Sequence, residues 1–139
     1  MDYRIWALLS ALFAGLTAVL SKKGVEGVPP NLALAVRVFF VLLFSVALAL
    51  ATKQVGVQNL SSRNFGFLAL SAVATWASWA CYFRALTDKD GAVSRVAPID
   101  KLSFVIAVAL GAIVLKEKLD LRLMAGCGLI ISGVLLTLK

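Results

Sequence analysis

Long apolar runs alternate with short polar stretches along the whole chain. The runs cover residues 5–21, 32–52, 65–86, 92–115 and 121–138. Crossing the ~30 Å hydrocarbon core of a bilayer takes about 20 apolar residues as a helix, with a lower limit near 17. Each run meets that requirement. Five spans with short loops put the two ends of the sequence on opposite sides of the membrane. The pattern predicts an all-α integral membrane protein, one domain over residues 1–139, facing a lipid bilayer. A cleaved signal peptide is the alternative for the first run, but its apolar core exceeds the usual 7–15 residues or so.

The breaks in the apolar pattern carry more information than the runs. The stretch KKGVEGVPPN (22–31) reads as a turn, with Asn31 as the expected cap of the second helix. The second run holds one charge, Arg37. It either snorkels to the near interface or meets a partner among the helices. In the third run Ser71, Thr75, Ser78 and Tyr82 recur at helical spacing and share one face. Trp76, Trp79 and Phe83 form a stripe beside it. Trp76 lies near the middle of the run, where an interfacial belt does not explain it. A polar face flanked by tryptophans suits a solute cavity. The competing reading bonds those hydroxyls back to their own helix.

The fourth run places Pro98, Asp100 and Lys101 within four positions. Proline removes a backbone donor and can act as a hinge. Two ionisable groups in an apolar helix call for a partner, and Arg37 is the candidate for Asp100. If the helix instead begins near Ile99, Pro98 is a first-turn proline and both charges are interfacial. In the first run Ala7, Ala11, Gly15 and Ala18 share a face, and in the last Gly128 and Ser132 give a small-residue spacing suited to close helix packing.

Composition supports the membrane reading: 61% of residues are hydrophobic and 15% are charged. The net charge of +7 does not point to nucleic acid, because the basic residues lie between apolar runs and no nucleic-acid-reading motif occurs. With no His and with Cys81 and Cys127 far apart, no metal site, cofactor or enzyme chemistry is expected. Counting Lys and Arg by side gives six (Arg4, Lys53, Arg63, Lys116, Lys118, Arg122) against six (Lys22, Lys23, Arg84, Lys89, Arg95, Lys139). Arg37 and Lys101 lie inside runs that begin on the second side, and counting them there gives only a mild bias. Such balance removes the main orientation cue, and an antiparallel homodimer with dual topology is the expectation it raises.

The segments YFRAL (82–86), VAPIDKLSF (96–104), Gly111 with Glu117, and GLIISGVLL (128–136) resemble the EamA domain of the drug/metabolite transporter superfamily. The resemblance implies one five-span repeat, half of a ten-helix transporter fold, completed here by dimerisation. It implies transport of small polar metabolites by alternating access, in a cell inner membrane. Arg37, Thr75, Trp76, Ser78, Trp79, Tyr82, Asp100 and Lys101 are the expected substrate-binding residues, with Pro98 as hinge. One departure is Lys116, where the family usually has Gly. The related small multidrug transporters use a buried Glu in their first helix, whereas the first run here has no acid. A cation exporter of that kind would need Asp100 in the role. A non-transporting subunit that pairs with another small membrane protein is the remaining alternative.

Overall fold

The computed structural model describes residues 2–138, and the Lys139 of the charge count lies outside them. Every regular element among the described residues is helical: α1 Tyr3–Gly24, α2 Pro30–Ala51, a 3-10 turn Val57–Asn59, α3 Ser62–Thr87, α4 Val93–Asp100, α5 Leu102–Val114 and α6 Leu121–Thr137. The protein is an all-α membrane protein. Its spans are α1, α2, α3 and the continuous stretch Val93–Val114, with α6 a shorter apolar helix. The 17 residues of α6 reach about 25 Å, close to the shortest crossing.

The chain forms two compact units, Leu20–Asp88 and the described part of Met1–Val19 with Lys89–Lys139. In the Leu20–Asp88 unit α2 packs along α3. Leu34 of α2 and Phe83 and Leu86 of α3 are buried. The start of α2 corrects the expected cap. Pro29 is the N-cap, Pro30 occupies the first helical turn, and Asn31 lies inside the helix. A proline there gives up no hydrogen bond, because the first N–H groups of a helix are unpaired anyway. Helix α3 begins three residues earlier than its apolar run, because the Ser61 hydroxyl accepts from the Asn64 N–H at 3.2 Å. At the other end of α3 the Lys22 ammonium donates to the Leu86 carbonyl at 2.6 Å. That carbonyl is in the last turn of α3, where no helical donor follows it.

Helix α2 ends in a Schellman turn. Gln54 N–H donates to Ala49 C=O at 2.9 Å and Lys53 N–H to Leu50 C=O at 3.1 Å. Lys53 adopts the left-handed conformation the turn needs, at φ 57°.

In the second unit α6 packs against both α4 and α5. Val134 is its buried residue. Helix α4 starts at Val93 rather than near Ile99, so Pro98 is an internal proline. The regular helix is interrupted at Lys101, three residues on. There the backbone tightens to i→i+3 bonds, Lys101 N–H to Pro98 C=O and Phe104 N–H to Lys101 C=O, both 3.1 Å. Proline's missing donor and its ring act one turn back, at the Ser94 carbonyl, so the span is loosened before Pro98 as well as broken at Lys101.

Candidate functional site

Arg37 is half-buried seven residues into α2, about 10.5 Å along the axis from Pro30. Its guanidinium carbon lies over the Trp79 ring, 4.1 Å from the centroid, and 5.6 Å from that of Phe83. Tyr82 is close enough to interact electrostatically with it. The charge is therefore met by the aromatic stripe of α3. Cation–π contacts of this kind contribute roughly 0.5–2 kcal/mol, more as water is excluded.

At 100° per residue Trp76 lies only about 20° beyond Phe83, but it is seven residues, about 10.5 Å, back along α3. Trp76 instead borders a groove of about 560 Å³ with Asn31, Leu34, Ala35, Val38, Phe39 and Ala80. That volume is within the range of small-molecule pockets. None of the other expected binding residues lines it. The Thr75 hydroxyl donates to the Ser71 carbonyl at 2.9 Å, so its hydrogen is engaged and only its lone pairs face outward. Ser78 is exposed.

Asp100 and Lys101 lie in the other unit. Asp100 is the last residue of α4, also seven residues from its helix start. Its carboxylate stands 3.8 Å from the Lys101 ammonium, with side chains 40% and 60% exposed. A long, exposed pair of this kind contributes little stability. It does place one anion and one cation next to the Pro98 irregularity.

Two features were not legible as contacts beforehand. Gly111, buried near the end of α5, accepts from the Leu115 N–H at 3.0 Å and the Glu117 N–H at 3.2 Å. A Cβ at Gly111 would stand 2.7 Å from Glu117 Oε2. Glycine thus leaves room for the chain to fold back over the helix end. Lys116, between them, has φ 57°. A left-handed position after a helix is where glycine is ordinarily favoured, so the lysine occupies a strained site. The second feature is the lysine bond of Lys22 to Leu86, for which a basic residue near a turn is only a weak signal.

Residues 3–139 match the EamA-like transporter family. The chain is 44% identical over 136 residues to an uncharacterized transporter in the cobO 3′ region of a Sinorhizobium species, an alignment that covers 97% of this chain and 95% of that protein. No solved structure matches it. Apolar helices long enough to span, the Gly111–Glu117 turn and a match over nearly the full sequence agree: the chain belongs to the EamA-like transporter family.

Proposed function

We propose that this membrane transporter moves small polar metabolites by alternating access, as an antiparallel homodimer in a cell inner membrane. The observation that carries the site is Arg37, a cation held inside an apolar span by Trp79 and Phe83. Charge within a span is costly and marks solute or ion pathways. Thr75, Ser78, Trp79 and Tyr82 form the wall on the Arg37 side. Asp100 and Lys101 act on the solute's polar groups or on a coupled proton. Trp76 serves through the neighbouring groove. Pro98 and the irregular turn at Lys101 give the span of residues 93–114 a place to bend during gating. Helical spans rather than a β-barrel fit an inner membrane.

Two observations support self-association. Basic residues outside the runs are balanced between the two sides, and Arg37 and Lys101 add only a mild bias, so neither orientation is strongly favoured. Gly128 and Ser132 lie about 120° and 160° round α6 from its buried residue Val134, and nothing comes within 4 Å of the position a Cβ on Gly128 would take. A cation exporter is less well supported, because the Trp79 face is already covered by a fixed guanidinium. The test is solute flux in proteoliposomes with Asp100→Asn. Loss of flux with the dimer mass unchanged in detergent supports the assignment, and unchanged flux contradicts it.

A further inference from the structure

Resting on that reading of the Arg37 site, we infer that the transported solute carries a single carboxylate, which Arg37 receives as a bidentate partner. Within Leu20–Asp88 the acidic residues are Glu26 and Asp88. Glu26 pairs with Lys23 at 3.3 Å, and Asp88 is the C-cap of α3, five residues past Phe83. Among the described residues of this unit, no carboxylate pairs with Arg37. The aromatic rings stabilise the cation's face, but they accept none of its five N–H bonds in the fork geometry that a carboxylate matches.

Ring contact also fixes the guanidinium in advance. A preorganised fork loses less side-chain entropy on binding than a free one. The neighbouring polar face, with Tyr82 and the Thr75 lone pairs, then favours a solute body that carries hydrogen-bonding groups. Charge number selects within the anions. The other cations of the unit are engaged, distant or turned away: Lys22 is on Leu86 C=O, Lys23 is on Glu26, Lys53 follows the C-terminus of α2, Arg63 lies in the first turn of α3, and Arg84 is exposed and rotated about 140° from Trp79 around α3. One fork matches one carboxylate, whereas a phosphate dianion would leave a full negative charge uncompensated in the span.

The experiment uses purified full-length protein in proteoliposomes with three radiolabelled series: lactate and serine, their amides, and glycerol phosphate. The expected result is saturable flux of at least one carboxylate, at least about 10-fold above its amide and above glycerol phosphate. Arg37→Lys, which keeps the charge and loses the fork, should lower that preference by about 10-fold. Arg37→Gln should abolish it. Flux of amides or of glycerol phosphate equal to the carboxylates overturns the inference while leaving the transport reading in place. Absence of flux for all three series, and for a wider panel of neutral and cationic solutes, overturns the transport reading itself. Equal carboxylate preference in wild type and Arg37→Gln, with both proteins folded by circular dichroism, also overturns the inference.

Discussion

The Arg37–Trp79 contact can be measured as a coupling energy. The perturbations are Arg37→Gln, which removes the cation and its fork, and Trp79→Leu, which removes the ring but keeps an apolar side chain. Either change alone mixes several effects. Trp79→Leu also leaves a cavity in the α2–α3 contact, and Arg37→Gln also relieves the cost of a charge in an apolar span. The double-mutant cycle cancels those separate terms and leaves the interaction. At 4.1 Å from the centroid with the arginine half-buried, the contact belongs in the upper half of the cation–π range, about 1–2 kcal/mol. Phe83, at 5.6 Å, is near the outer limit and contributes less. The same cycle with Phe83→Leu should therefore give about 0.5 kcal/mol. The assay is reversible unfolding in mixed micelles, followed by far-UV circular dichroism so that loss of a tryptophan does not alter the signal. An arginine that snorkels to the interface instead would show no coupling to Trp79. A Trp79 coupling below about 0.3 kcal/mol, within the additivity limit for independent sites, refutes the stacked geometry.

Three further substitutions test the supporting structure. Lys116→Gly relieves a left-handed residue worth about 1–2 kcal/mol and adds about 0.5–1 kcal/mol of glycine entropy, so a net gain of about 0.5–1 kcal/mol is expected in detergent unfolding, whereas Lys116→Val should lose stability. Lys22→Met removes a charge-assisted bond to Leu86 C=O, and a loss of about 1.5 kcal/mol is expected; no loss would mean the carbonyl is equally well served by water. Gly111→Ala displaces the Glu117 carboxylate, so its effect should be more favourable by at least about 0.5 kcal/mol in a Glu117→Ala background; simple additivity would contradict the close approach.

The elements were legible because bilayer thickness imposes one length on every span, and interruptions of apolar character mark their ends. Local chemistry then moved those ends. Asn31 is a good capping residue, but Pro29 and Pro30 precede it and begin α2 first. Ser61 extends α3 back beyond Phe65. Pro98 marked the irregularity in the fourth span, yet its position alone could not say whether the helix began before or after it. The site was only half legible. Periodicity placed Trp76, Trp79 and Phe83 on one stripe, but their division between Arg37 and the apolar groove depends on how α2 meets α3. The register between two helices joined by a loop is set by packing and is not encoded in the period of either one. The Gly111–Glu117 pair was visible as a motif. Its reason, a carboxylate folded over a missing Cβ, required the path of the backbone after α5.

The most direct measurement of the central claim is counterflow in proteoliposomes preloaded with unlabelled solute. Wild-type protein should show saturable uptake of the matching labelled solute, accelerated by solute on the far side, and Arg37→Gln should not. Trans-acceleration follows from a site that is exposed alternately and returns faster when loaded. Uptake that is linear in concentration, indifferent to trans solute and equal in the two proteins would contradict a transporter working through this site.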